Sequence, residues 1–176
     1  MSSRDSSHDA ARNAARDAAS GIQRQAADPM RSVVLSASAG SGKTKVLVDR
    51  FLRLCIEDTP ARSHPRAILA VTFTKKAAVE IQERLLKAAR GLALDAPDVV
   101  EARLAELFGR APRDAELRYA ADLYERILED TAGLNVGTIH SFCQSVLGRF
   151  AAEAGLDPRF AVLEDTADLV EEALDQ

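Results

Sequence analysis

Ala37-Ser-Ala-Gly-Ser-Gly-Lys43-Thr44 follows the apolar run Val33-Val34-Leu35 and opens a stretch of helical periodicity. Strand, small-residue loop, Lys-Thr and helix, in that order, are the context of a phosphate-binding loop. Small residues let the backbone curl until successive N–H groups point at phosphate oxygens. The helix adds its partly positive N-terminus. In this reading Ala37, Ser38, Ala39, Gly40, Ser41 and Gly42 form the cradle for a nucleoside triphosphate. Lys43 reaches the β- and γ-phosphates and the Thr44 hydroxyl binds Mg²⁺, which makes these two the candidate catalytic residues. The usual glycine at the first position is replaced by Ala37, which fits while φ stays negative.

The rest of the 176-residue chain reads as one domain with a real core, since 47% of its residues are hydrophobic. No apolar run approaches a membrane span, and the N-terminus carries no apolar signal core. With two cysteines, Cys55 and Cys143, and no secretory signal, the expected place is a reducing cytoplasm, with both thiols buried. The net charge of −4 does not advertise nucleic acid, though a local cationic face would suffice for it.

Met1 to about Ser20 reads as a mobile tail, and folded sequence is expected from Gly21. Strands are expected at Val33–Ser36, Ala67–Thr72 and Leu134–Thr138. Helices are expected over Lys43–Cys55, Lys75–Arg90 (stopped by Gly91), Pro97–Phe108, Asp114–Asp130 and Ser141–Ala154. Their apolar stripes include Phe51; Ala78, Ile81 and Leu85; Val100, Leu104 and Leu107; Leu117, Ala121, Tyr124 and Leu128; and Phe142, Val146, Leu147 and Phe150. A short extended piece at Phe160–Leu163 and an acidic helix from Asp165 follow. Strands alternating with helices point to a parallel α/β sheet with flanking helices.

Three further segments carry functional residue types. Gln23, in Gln23-Arg-Gln-Ala26-Ala, offers the amide donor and acceptor that match adenine N7 and N6, or else is simply solvated. Thr72-Phe73-Thr74-Lys75 stands where a strand ends and a helix begins, the edge at which open α/β sheets bind ligands. Its hydroxyls and charge suit a phosphodiester backbone and Phe73 suits stacking on a base; the alternatives are a helix cap for Thr74 and a core ring for Phe73. Thr138-Ile-His140-Ser141-Phe142 again follows a strand and opens a helix, with capping as the competing role. No His/Cys cluster has metal-ligand spacing.

Taken together, these segments resemble a UvrD/Rep-type superfamily 1A DNA helicase. Gln23-Arg-Gln-Ala26-Ala resembles its Q motif, Ala37–Thr44 its motif I, Thr72–Glu80 its motif Ia, and Thr138–Phe142 its next DNA-contacting motif. Ser36-Ala-Ser-Ala-Gly40, Thr138-Ile-His-Ser-Phe-Cys143 and the long helical insert between Gln82 and Gly133 are most similar to the AddA/RecB helicase–nuclease branch. The resemblance implies a partial RecA-like P-loop NTPase domain over residues 21–160 with its insert at about 92–132, and the start of a helical 1B subdomain at 161–176. It implies ATP and Mg²⁺ as cofactors, with Gln23 reading adenine. Thr72, Phe73, Thr74, Lys75, Thr138, His140, Ser141 and Phe142 would touch single-stranded DNA. Partners would be single-stranded DNA, DNA ends and a second helicase–nuclease component of the AddB/RecC kind, with no membrane.

Hydrolysis also needs an acidic Mg²⁺ ligand, a residue positioning water and an arginine finger. Phe160-Ala-Val-Leu163-Glu164-Asp165 is too short and turn-like to be that acidic strand, and Asp165 reads as a helix start. The expectation is an ATP- and DNA-holding stretch of a helicase that does not itself unwind. The alternative is a stand-alone P-loop nucleotide-binding or regulatory protein without a DNA role.

Overall fold

The computed structural model describes residues 18–36, 38, 40, 42–130 and 133–157. Of the tail expected at 1–20, residues 1–17 lie outside the described residues and 18–20 are helical; the Phe160–Asp165 segment and the 161–176 subdomain start also lie outside, as do Ala37, Ala39 and Ser41. The elements are α1 (residues 18–26), α2 (Lys43–Ile56), a single 3₁₀ turn (Pro65–Ala67), β1 (Ala70–Thr72), α3 (Lys75–Leu94), α4 (Pro97–Phe108), α5 (Asp114–Glu129), β2 (Val136–Thr138) and α6 (Ile139–Arg149).

The α/β class stands, with a sheet of two parallel strands. The strand expected at Val33–Ser36 does not form: these residues carry no regular secondary structure, and Val34 is 99% exposed. A parallel strand is held by neighbours at its edges and helices on its faces. Among the described residues nothing supplies them here. β1 keeps only Ala70–Thr72 of the longer strand expected from Ala67, because Ala67 closes the 3₁₀ turn begun by Pro65.

The core is helical. Phe51, Leu52 and Ile56 of α2 meet Leu85 and Ala89 of α3, Leu104 of α4, and Leu123 and Ile127 of α5. The insert is therefore part of the main core. Pro97 starts α4 where a missing N–H costs nothing, and Gly109 ends it at φ 71°. Gly91 does not stop α3, which runs on to Leu94. A Cβ at Gly91 would meet the end of the Arg103 side chain, Nη1, at 2.8 Å, so the glycine there leaves room for that guanidinium rather than making a turn.

The stripe of α5 is displaced by one residue from expectation. Its buried residues are Glu116, Ala120, Leu123 and Ile127, and Leu128 faces solvent. The period was legible and the phase was not, because the buried face contains an acid. Glu116 is fully buried and accepts four bonds: from Arg110 Nη2 (2.6 Å) and Nη1 (2.8 Å), and from the N–H groups of Asp58 (2.9 Å) and Arg113 (2.8 Å). Arg110 also lies 3.8 Å from Glu57, which pairs with buried Arg53 at 2.6 Å. An ionic chain thus runs from α2 to the start of α5.

The apolar side of α6 is uncovered. Phe142, Val146, Leu147 and Phe150, expected in the core, are exposed, and so is Cys143, while Cys55 is buried and its thiol is pushed up to about 12 by desolvation.

Candidate functional site

The glycine loop meets α2 through a backbone that only glycine adopts readily. Gly40 has φ 78° and Gly42, the N-cap of α2, has φ 89°. Gly42 contributes no side-chain acceptor to the first turn of α2. The helix starts of α3 and α6 are closed differently: the Thr74 hydroxyl accepts from Ala77 N–H at 3.1 Å, and Thr138 accepts from Ser141 N–H at 3.1 Å. Gly42 therefore leaves the capping of the first turn of α2 to acceptors other than its own side chain, the arrangement that anion-binding helix starts use. Lys43 curls back over the loop, its Nζ donating to the Ser38 carbonyl at 2.6 Å.

Gln23 stands beside this loop. A Cβ at Gly42 would lie 3.1 Å from Gln23 Nε2, so the side-chain amide and the helix start are in near contact. Gln23 and Thr44 share the wall of a cleft of about 680 Å³, whose far side is formed by Arg84, Lys87 and Arg90 of α3 and Arg103 of α4. Two residues that sequence reading missed tie the segment around Gln23 to α2. Val46, Arg50 and Arg53 share one face of α2, at helical spacing. Arg50 donates to the carbonyls of Asp28 (2.7 Å) and Arg31 (2.7 Å), and Arg53 to that of Arg24 (2.9 Å). Their i, i+4, i+7 spacing was visible, but cations on a helix face read by default as solvated.

The second cluster sits at the carboxyl edge of the sheet. β1 and β2 pair in the register Ala70–Val136, Val71–Gly137, Thr72–Thr138. Two segments far apart in the chain thus leave the sheet side by side and each opens a helix. Phe73 is 84% exposed, which excludes the core-ring reading, and Lys75, His140 and Phe142 are also exposed. Thr74 caps α3. Thr138 and Ser141 cap α6 reciprocally, the Thr138 N–H donating to Ser141 Oγ at 2.9 Å. A Cβ at Gly137 would come within 2.7 Å of Ser141 Oγ, so this cap requires the glycine. Threonine hydroxyls here shape helix starts, while Phe73 and His140 face outward.

Replacing Thr74 with alanine is expected to lower stability by about 1 kcal/mol, and Thr74→Ser to leave it near the parent value, in urea denaturation. Equal midpoints for the two variants would remove the capping role.

α3 joins the clusters. It begins at the sheet edge and its C-terminal half lines the cleft shared by Gln23 and Thr44. Among the described residues no group of three His, Cys, Asp or Glu side chains could hold a metal, and no described helix is long and apolar enough to cross a membrane.

Comparison with known proteins adds to this. The family model described as UvrD/REP helicase N-terminal domain matches residues 19–176. An ATP-dependent helicase/nuclease subunit of Lactobacillus johnsonii is 37% identical over 145 residues, covering 81% of this chain and 10% of that protein. Proteins of the same name from Lactobacillus gasseri (36% over 148 residues, 82% of this chain and 10% of the relative) and Carboxydothermus hydrogenoformans (34% over 136 residues, 76% and 9%) are also similar. The chain spans about a tenth of the length of these curated relatives.

Proposed function

The chain belongs to the UvrD/REP helicase N-terminal domain family, and we propose on that footing that it is the ATP-binding and single-stranded-DNA-contacting part of an ATP-dependent helicase–nuclease that works in double-strand-break repair. The fold we propose for residues 21–160 is a partial RecA-like domain, carrying its insert at about 92–132 and leading into a 1B subdomain at 161–176. The observation that carries the reading is the Gln23 amide lying beside Gly42, at the glycine-capped start of α2. An adenine-reading amide and a phosphate-binding helix start then belong to one site.

In that site residues 37–42 cradle the triphosphate, Lys43 exchanges the Ser38 carbonyl for phosphate oxygens, and Thr44 holds Mg²⁺. The fit is chemical: the loop offers backbone donors, one cation and one hydroxyl, as a magnesium–triphosphate complex requires. The bound metal would neutralise charge developing on the phosphates. The chain's own part is to fix the phosphates and the base. At the sheet edge Phe73 stacks on a base, while Lys75, His140 and the helix starts at Thr74, Thr138 and Ser141 meet the DNA backbone together with Phe142. Because α3 spans both sites, a change in the cleft reaches the strand-binding edge through one rigid element. DNA ends and a second helicase–nuclease component complete the proposed partners, in a cytoplasmic setting. Alone, the stretch holds ATP and DNA without unwinding, because its identified site residues include no acidic Mg²⁺ ligand.

Fluorescence anisotropy with labelled single-stranded DNA tests the proposal. We expect binding that weakens steeply with salt. Phe73→Ala is expected to cost about 1–3 kcal/mol, or about 5- to 150-fold in affinity, and His140→Ala less. A chain that binds ATP but shows no salt-sensitive DNA affinity is instead a stand-alone nucleotide-binding protein.

A further inference from the structure

We infer that Arg50 is a positioning residue for base discrimination, holding the Gln23 amide where it can tell adenine from guanine. This rests on the nucleotide site proposed above. Gln23 and the glycine loop lie on separate segments, and their relative position depends on how α1 sits on α2. The apolar part of that contact is small: Ala26, Ala27 and Val46 form an isolated cluster. Two methyl groups and a valine are non-directional and leave α1 free to slide or rotate. Directional bonds remove that freedom.

Arg50 supplies most of them. Its Nη1 donates to the Asp28 carbonyl at 2.7 Å and the Ala26 carbonyl at 3.4 Å, and its Nη2 to the Arg31 carbonyl at 2.7 Å. One planar guanidinium thus holds three points of the turn that follows α1. That turn is already stiffened by Asp28, whose carboxylate accepts from Met30 N–H at 2.9 Å and lies 3.4 Å from Arg31 Nε. Arg53 adds a bond to the Arg24 carbonyl, on the residue next to Gln23. Arg53 is buried and paired with Glu57, so its removal would disturb the core as well. Arg50 is only half-buried, and its bonds go to main-chain carbonyls, which makes it the separable element.

A bidentate amide discriminates between bases only while it is held to within about 0.5 Å. Loss of Arg50 therefore affects base selection and not the phosphate cradle, which is built from the loop and the start of α2.

The test is equilibrium binding of the full chain to fluorescent ATP and GTP analogues, with inorganic tripolyphosphate as a phosphate-only competitor. The parent chain is expected to prefer the ATP analogue by about 10- to 100-fold. Arg50→Ala is expected to narrow this preference to within about threefold, with tripolyphosphate affinity within about twofold of the parent. Arg50→Lys, a point charge without the fork, recovers part of the preference.

A preference retained in Arg50→Ala overturns the inference. So does a loss matched by an equal loss of tripolyphosphate binding, which would mark a general structural role. Should Arg50→Ala fail to fold by circular dichroism, Arg50→Lys decides: reduced preference supports the inference and unchanged preference overturns it. Gln23→Ala separates this from the proposed nucleotide site itself. If Gln23→Ala abolishes the preference and the Arg50 variants do not, only the Arg50 inference falls. If the parent chain shows no preference at all, the adenine role of Gln23 falls with it.

Discussion

Lys43→Ala lowers the affinity of the chain for ATP by about 10- to 100-fold, the range expected for losing one charge-assisted contact to phosphate. The same factor applies to inorganic tripolyphosphate, because Lys43 addresses phosphates and not the base. Folding is expected to be nearly unaffected. Lys43 is exposed on the first turn of α2, and its bond to the Ser38 carbonyl lies outside the core. Substitutions of this kind usually stay within about 0.5 kcal/mol. Calorimetric titration with ATP, beside a thermal melt, checks both halves. An unchanged ATP affinity would show that the loop is a turn and not a phosphate site.

Glu116→Ala is the substitution expected to damage the fold most. It leaves Arg110 without its closest carboxylate and two main-chain N–H groups unsatisfied around a fully buried position. Breaking one side of a buried pair costs about 3–5 kcal/mol. The contribution also has a pH signature. Hydrogen bonds from Arg110, with help from the Asp58 and Arg113 N–H groups, hold the Glu116 carboxyl at about 2 against an ordinary 4.5, in spite of opposing burial. A depressed carboxyl binds its proton later in the folded chain than in the unfolded one, so its stabilisation is complete above about pH 4.5. It falls away as pH drops from there towards 2, amounting to about 3 kcal/mol in all. Urea unfolding between pH 7 and pH 3 should show the gap between parent and Glu116→Gln closing with acid. A gap that does not change with pH would mean that Glu116 acts by shape alone.

The parts of the molecule that sequence could disclose are those set by local rules. Lys43, Lys75 and Pro97 begin helices where the loop glycine, the Thr74 cap and the proline said they would. The ends of β1 and β2 were legible because a short apolar run gave way to a capping residue at Thr72–Thr74 and Gly137–Thr138. What escaped was decided by groups acting across the chain. Glu116 counts as polar in any periodicity, and Arg110, the nearby Arg113 N–H and above all the distant Asp58 N–H make it a core residue. Gly91 looked like a stop, although α3 runs on past it beneath the Arg103 guanidinium. Arg50 looked like a solvated charge, although its partners are carbonyls on another segment. Val33–Leu35 read as a buried strand because the pattern reports how apolar a strand is, and not whether neighbours stand on either side to pair with it.

The Thr72–Thr138 register has a bearing on how the molecule is made. β1 and β2 cannot pair until α3, α4 and α5, which lie between them in sequence, have closed a long loop. Closure of that kind is entropically costly for a free chain and cheap once helices have shortened the path. The order of events that follows is helical collapse around Leu85, Leu104 and Leu123 first and strand pairing last. The paired edge at Thr72 and Thr138 is thus the latest part of the molecule to mature. A nascent or partly unfolded chain would regain α2 with its glycine N-cap, which is contiguous in sequence, before it regains the paired edge that we propose contacts DNA.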